Sequence, residues 1–510
     1  MTRRFGVACL LVLGTAPAGW CQSASIRRAA ATITEADIRR RILLIAADSM
    51  GGRNTPSPGL TKTANYIARE FKRFGLKPGG DGGSYLLSYP MARKQLLAAQ
   101  SSLRFGKGSS QVATTLADAG ALISGATSQS ARGGILLVGG RVVADSLTRE
   151  AVRDRIVIYL PAPETLPATR DRISPVTRLS QLGARAIVLV VRSDSVLLAY
   201  QQRARRPQTV VGDPDRTAPV IAVLENAIAR QAPGAAEQFA RLRTAPGTIV
   251  QQAAGWEGEL ALRDTTLALS YAPNVVGILE GSDPRLKQEY VVFSAHMDHI
   301  GTAGQPGAQC GTVQGDGICN GADDDGSGTV GVVELAEAFS QRGARPKRSL
   351  IFLTVSGEEE DLWGSRWFVN HPPVPLSQIV ADLNADMIGR NWKDTIVAIG
   401  KQHSDLGTTL DRVNAAHPEL RMHAIDDRWP EEDFYRRSDH YNFAQRGVPI
   451  LFFFNGVHAD YHQPSDSPDK IDAEKEARVV RLLFYLGQEI ATLPERPKWV
   501  PASYQQIVVP

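Results

Sequence analysis

Five short polar clusters carry the residue types that bind metal ions and move protons. They are His296-Met297-Asp298, Asp323-Asp324-Asp325, Glu358-Glu359-Glu360, Asn384-Ala385-Asp386 and Tyr461-His462. Imidazole and carboxylate are ligands that Zn2+ accepts. A single acidic cluster reads as a solvated loop, but five, each following or adjoining an apolar run, do not. Two imidazoles and three carboxylates suit a pair of ions bridged by one carboxylate, each ion keeping an open position. A water shared between two such ions is a strong nucleophile at neutral pH. Glu358 and Glu359 are neighbours whose side chains cannot easily reach one ion together, so one is available as ligand and the other as general base.

The elements that must hold these clusters are legible from about residue 270 onward. Apolar runs at 275–279, 290–294, 349–355, 379–383 and 450–454 predict strands, and 329–339 predicts a helix. Strands alternating with helices give an α/β fold class, with a mostly parallel central sheet flanked by helices. Ligands of such sheets bind outside the carboxyl ends of the strands, where the clusters fall. Residues 33–92 read as helix-rich, with a helix start at Thr34-Glu35-Ala36-Asp37 and a second helix over about 60–74. The loop Gly51-Gly52-Arg53-Asn54-Thr55-Pro56 separates these two helices. Residues 115–250 differ: short apolar runs at 134–138, 155–160, 186–191 and 219–223 predict a small β-rich module with a few helices.

The motifs themselves carry a resemblance. Residues 294–301 (Ser-Ala-His-Met-Asp-His-Ile-Gly), 320–328 (Asn-Gly-Ala-Asp-Asp-Asp-Gly-Ser-Gly), 357–365 (Gly-Glu-Glu-Glu-Asp-Leu-Trp-Gly-Ser), 384–389 (Asn-Ala-Asp-Met-Ile-Gly) and 460–466 (Asp-Tyr-His-Gln-Pro-Ser-Asp) resemble, in order, the five motifs of the co-catalytic zinc exopeptidases. That family includes bacterial leucyl aminopeptidases, aminopeptidase Y and the glutamate carboxypeptidases. The resemblance covers roughly 270–490 and implies a zinc-exopeptidase-like, phosphorylase/hydrolase-like fold with two Zn2+ per chain. It implies His296 and Asp386 on one zinc, Glu359 and His462 on the other, and Asp324 bridging. It further implies Glu358 as general base, Asp298 as the carboxylate that orients a ligand imidazole, and Tyr461 as a hydrogen-bond donor to the oxyanion. Glu360-Asp361 departs from the family, which often has an apolar residue and Gly there, and the extra negative charge bears on substrate preference. Segment 115–250 resembles the protease-associated domain inserted in many members, with Gly183-Ala184 before a strand as its best-matching feature.

Several of the same residues admit other readings. Asp323-x-Asp325-x-Ser327-Gly328 with Glu334 twelfth matches an EF-hand loop. The Gly-rich stretch 315–322 before it is a loop rather than the incoming helix an EF-hand requires, so coincidence is the preferred reading. Cys310 and Cys319 lack the His or Cys partners of a structural zinc site, and in an exported chain a disulfide between them is expected. His299, His440 and His458 lie near the motifs and are read as structural or supporting.

Composition bounds the rest. The chain has 510 residues, 43% apolar and 22% charged, which excludes wholesale disorder. Lys plus Arg is 57 against 53 Asp plus Glu, a net charge of +4, which argues against a nucleic-acid partner. Between 151 and 210 there are ten Arg, no Lys and four acidic residues, and without interleaved aromatics this reads as a solvated surface. Thr2-Arg3-Arg4, an apolar 5–13 and the small residues that follow have the pattern of a secretory signal peptide, cleaved after Ala18 or nearer Ala24. Trp20 is too bulky for a lipoprotein site at Cys21. No stretch is long and apolar enough for an integral membrane span. The expected organisation is a signal peptide at 1–24, the first part of the peptidase domain at 33–114, the insert at 115–250, the catalytic domain at 251–495 and a tail at 496–510. The expected function is that of a periplasmic or secreted zinc-dependent aminopeptidase acting on peptide or protein substrates, with cobalt or manganese as alternative metals. Three alternatives stay open: a carboxypeptidase or dipeptidase of the same family, marked by a pocket Arg or Lys; a glutaminyl-cyclase-like transferase, against which the five-ligand set argues; and a non-catalytic binding protein, which should lack ligands.

Overall fold

The computed structural model describes residues 24–508 apart from 109, 126, 163–173, 213–217 and 233. Residues 1–23 of the expected signal peptide lie outside the described residues. The chain forms two compact units, one running to Ser88 and resuming at Ala272, the other comprising Tyr89–Tyr271.

The first unit is built on four parallel strands: β1 (Tyr290–His296), β2 (Ser349–Val355), β3 (Ile379–Ala385) and β4 (Ile450–Phe453). Their order across the sheet is β4-β3-β1-β2, with Tyr290 opposite Ser349 and Asp382 opposite Ile450. Antiparallel neighbours close both sides: Thr395–Ile399 beside β4, and residues 275–279 beside β2. All seven residues of β2 are buried, as an apolar run covered on both faces requires. Among its helices are α1 (Glu35–Ile45), α2 (Pro58–Arg73), α3 (Gly326–Phe339), α4 (Trp363–Asn370), α5 (His440–Gln445) and α6 (Ala473–Thr492).

Side-chain alternation along the strands sets the two layers. Phe293 of β1 and Phe352 of β2 stack with centroids 5.6 Å apart and both meet Phe339 of α3, which in turn meets Phe484 of α6 at 4.5 Å. The alternate residues Val292, Ile351 and Leu353 join a cluster with Phe368 of α4 and Phe443 of α5. Helix starts follow capping chemistry: the Asp37 amide donates to Thr34 Oγ1 at 3.1 Å, and the Leu60 amide to Ser57 Oγ at 3.1 Å. Helix α3 begins three residues earlier than the sequence suggests, because Asp325 Oδ1 accepts from the Gly328 amide at 2.8 Å and caps it. Every residue of α3 except Glu337 is buried. Glu334, the twelfth position of the EF-hand pattern, accepts from Arg41 Nε at 2.6 Å, so its carboxylate answers a buried guanidinium.

The second unit also has four central parallel strands: Ser130–Gly140, Ile156–Pro161, Ala186–Val191 and Val220–Leu224. These coincide with the four apolar runs in the sequence. Gly120–Ser124 pairs antiparallel at one side; Ile249–Ala261, Ser102–Lys107 and Ser110–Thr115 extend the other. Ile158, Val188 and Ile221 face one cluster with Ile228, Phe239 and Leu242, while Val157, Ile187 and Val220 face another with Val152 and Leu179. The unit is therefore wider than the expected 115–250, and helices cover both faces of its parallel strands. The hairpin 102–115 alternates apolar and polar residues, a strand pattern, but it precedes the apolar runs by which the sequence marks this unit. It is pinned by pairing Leu103 with Leu260, far along the chain.

Candidate metal centre

The five clusters of the first unit fall at the carboxyl ends of its parallel strands. His296 ends β1, Glu358 and Glu359 follow β2, Asp386 follows β3 and His462 lies in the loop after β4. Asp324 immediately precedes the capped start of α3. Folding brings their polar atoms together. His296 Nε2 is 3.3 Å from Asp324 Oδ1 and 3.6 Å from Asp386 Oδ1. His462 Nε2 is 3.2 Å from both Asp324 Oδ2 and Glu359 Oε2. Asp324 thus presents one oxygen to each imidazole. Glu358, Tyr461 and Met387 line the same pocket as His296, Asp324, Glu359 and Asp386. The apolar wall is Phe434, Phe452, Phe454 and Val457.

Two further residues crowd the centre. Ligand atoms of His296, Asp325 and Asp386 lie within 4.8 Å of one another, as do those of His299, Asp324 and Glu359. Asp325 is already engaged: its oxygens accept from the amides of Gly328, His296 and Met387 at 2.8–3.2 Å, bracing three loops. His299 is fully buried with Nδ1 2.8 Å from Glu359 Oε1, and neither ring nitrogen has a hydrogen-bond partner among the described residues.

The charges explain why so polar a cluster stays buried. Burial alone would raise the Asp324 carboxyl, but His299, His296 and His462 hold it well below the usual carboxylate range. Burial pushes Glu358 well above that range, and the nearby charges of Glu359 and Asp439 add to the effect. Against the cost of burial, the adjacent carboxylates of Asp324 and Glu359 lift His462 to about 10. Asp324 Oδ2, Asp386 Oδ1 and His462 Nε2, all buried in the converging set, nonetheless have no hydrogen-bond partner among the described residues. Buried polar groups of this kind call for a partner. A set of imidazole and carboxylate donors converging at 3.2–3.6 Å fits divalent cations of the zinc type.

Supporting contacts come from Asp298, the loop 51–56, Asp466 and Ser438. Asp298 Oδ1 lies 3.6 Å from His296 Nδ1, and Asp298 Oδ2 accepts from Thr55 Oγ1 at 3.0 Å. Arg53 is fully buried and donates to the carbonyls of Ile45, Met297, Asn320 and Gly321 at 2.6–2.9 Å. It therefore ties the loops carrying His296 and Asp324 to the amino-terminal segment. Gly52 beside it (φ +65°) has no room for a side chain, since a Cβ would sit 2.3 Å from the Gly301 carbonyl oxygen. Asp466 accepts from the amides of Asp323 and Asp324 at 3.1–3.2 Å, and Ser438 donates to Asp386 Oδ2 at 3.0 Å. The Gly-Gly-Arg run between two helices was the available signal for Arg53, but nothing local says that an arginine is buried. Cys310 and Cys319 form a disulfide, as expected.

A mixed α/β unit with paired imidazole and carboxylate groups at its strand ends is the setting of a metallohydrolase. Residues 274–487 match peptidase family M28, and the chain carries a domain of that family. A probable leucine aminopeptidase of Arthroderma otae is 26% identical over 227 residues, 43% of this chain and 58% of that protein. Leupeptin-inactivating enzyme 1 of Streptomyces exfoliatus is 28% identical over 219 residues, 43% of each chain. This chain thus spans less than two thirds of the length of these curated relatives. Among solved structures, the aminopeptidase from Aneurinibacillus sp. strain AM-1 aligns over 92% of this chain and 97% of its own, at 17% identity and a TM-score of 0.47. No described helix is long and apolar enough to cross a membrane.

Proposed function

We propose that the protein is an exported two-zinc aminopeptidase that removes amino-terminal residues from peptides. The observation that carries this reading is Asp324, whose two carboxylate oxygens lie 3.3 and 3.2 Å from the Nε2 atoms of His296 and His462. In this assignment His296 and Asp386 would hold one zinc and Glu359 and His462 the other, with Asp324 shared between them. Bound there, two cations supply Lewis-acid polarisation of the scissile carbonyl and a more acidic water. Glu358 receives the proton of the attacking water and returns it to the departing amine. Asp298, anchored by Thr55, sits 3.6 Å from Nδ1 of His296 and orients its ring electrostatically. Burial, then the charges of Asp324 and Glu359, push the Tyr461 hydroxyl above its ordinary pKa, so it keeps its proton and donates to the oxyanion. His299, against Glu359, holds that carboxylate in place.

Export is supported by the signal-like sequence at 1–24 and by the disulfide, since such bonds persist in oxidising compartments. The unit Tyr89–Tyr271 is read as the family's protease-associated insert. The deciding experiment offers aminoacyl chromogenic substrates and their N-blocked counterparts, with chelation and zinc add-back. Zinc-dependent cleavage of only the free-amine substrates is expected; cleavage of blocked peptides from the carboxyl end would overturn the assignment.

A further inference from the structure

Between His299 and Asp324 the chain makes a detour that the mechanism does not use. Residues 302–318 form a loop whose stretches 304–307 and 311–316 are exposed. Its two ends meet: Thr302 and Ile318 form an antiparallel bridge, and the Ala303 amide donates to the Gly317 carbonyl at 2.7 Å. The disulfide ties Cys310, in the middle of the loop, to Cys319 at its exit. Both cysteines are buried and pack with Ile300 in a small apolar cluster of their own. A loop with so little buried surface keeps a fixed shape only where something pins it, and the pinned point here is Cys310.

That point reaches the metal centre on one side. Gln309 Nε2 donates to the main-chain carbonyl of Glu359 at 3.2 Å. The amides of Gln309 and Cys310 both donate to the Ile300 carbonyl, at 3.0 and 3.3 Å. Ile300 directly follows His299, whose Nδ1 lies 2.8 Å from Glu359 Oε1. The loop therefore grips Glu359 through its backbone and through the segment that carries its imidazole neighbour. Among the described residues, the Glu359 carbonyl accepts from Gln309 alone. Glu358 has supports of its own: its amide donates to Asp298 Oδ1 at 3.3 Å, and its carbonyl accepts from the Leu362 amide at 3.1 Å. The hydrogen bonds of His296 and Asp386 go elsewhere, to Asp325, Thr329, Phe453 and Ser438.

We infer that the disulfide-closed loop is a clamp on one half of the metal centre: Gln309 is a positioning residue that holds Glu359, and the Cys310–Cys319 bond holds Gln309. This rests on the two-zinc assignment and deepens it. Opening the clamp should loosen the ion that Glu359 and His462 would hold and spare the one that His296 and Asp386 would hold.

The test titrates zinc from the full chain with a competing chelator, which yields a Kd for each ion. Gln309→Ala should weaken one Kd by about three- to tenfold, the range of a single hydrogen bond, and leave the other within about twofold. Gln309→Glu, of the same size but without the donor, should restore nothing. Replacing both cysteines, Cys310→Ser with Cys319→Ser, should weaken the same Kd by about tenfold or more, because a freed loop loses more than one contact. Glu359→Ala identifies the ion: in that background Gln309→Ala should leave the remaining Kd unchanged. Equal weakening of both ions, no change on Gln309→Ala, or a further loss in the Glu359→Ala background would overturn the inference. Should the double cysteine variant fail to fold, the Gln309 variants decide alone. If the wild-type chain binds fewer than two zinc ions, the two-zinc assignment itself fails. Hydrogen exchange across 358–363 then still decides the role of Gln309: faster exchange in Gln309→Ala upholds the grip on this turn, and unchanged exchange overturns it.

Discussion

The two units share a plan and differ in what it carries. Each has four central parallel strands, antiparallel neighbours at the sides and apolar clusters on both faces. Yet the buried polar and charged residues are distributed very unevenly. Among the described residues, the second unit buries only Ser101, Thr127 and Arg243, whereas the first buries Arg53, His296, Asp298, Asp324, Asp386 and many more. All nine histidines also belong to the first unit. Parallel strands in the second unit end at Gly140, Pro161, Val191 and Leu224 and, among the described residues, bring no imidazole or carboxylate cluster. A parallel sheet provides a place for chemistry, and the residues after its strands decide whether any occurs.

The comparison can be broken most sharply at the centre itself. Asp324→Ala should abolish both zinc binding and turnover, while Glu358→Gln should keep zinc and lose roughly 10²–10⁴-fold in kcat. Elemental analysis beside kinetics checks both; full zinc occupancy in the first variant would sink the bridging role. Next in size is Arg53→Ala, which strands four buried carbonyls. It should cost about 3 kcal/mol or more by denaturant titration and weaken zinc retention. In the second unit, Ile158→Ala should cost about 2–5 kcal/mol of stability, Ile158 being 2% exposed, yet leave zinc content per folded molecule unchanged. Zinc lost from that variant would refute the division of labour.

The smallest effect at neutral pH belongs to His440, stacked on Phe452 at 4.3 Å, with Nε2 2.7 Å from the Tyr435 carbonyl. Burial lowers it from 6.5 to about 3, so the folded chain holds it neutral while the unfolded chain protonates it. Stability should therefore be intact above about pH 6.5 and fall as pH drops toward 3. Hydrogen exchange should show the His-dependent part of this loss in the first unit, and His440→Gln should flatten the slope.

The convergence of imidazoles and carboxylates was legible because these residue types are rare after apolar runs and because the order of the runs placed them at one end of a sheet. The helix starts at Thr34 and Ser57 and the strand 349–355 followed from equally local signals. Contacts made across hundreds of residues were not legible. Arg53, Thr55 and Asp466 look like ordinary loop residues until the fold buries them. Gln309 illustrates the same limit, since no spacing rule says which loop side chain reaches the Glu359 carbonyl. The edges of the second unit were missed because its outer strands pair residue 103 with 260.

Arg53 also bears on the order in which the protein can be made. It leaves the ribosome early, followed by the whole of Tyr89–Tyr271, and only then by the carbonyls of Met297, Asn320 and Gly321 that it must meet. Until then the guanidinium stays in water and lacks three of its four carbonyl partners, so the amino-terminal helices remain undocked for a long interval. A polypeptide pared to 274–487 would lack that cation altogether and should not mature, even though it contains every one of the five motifs.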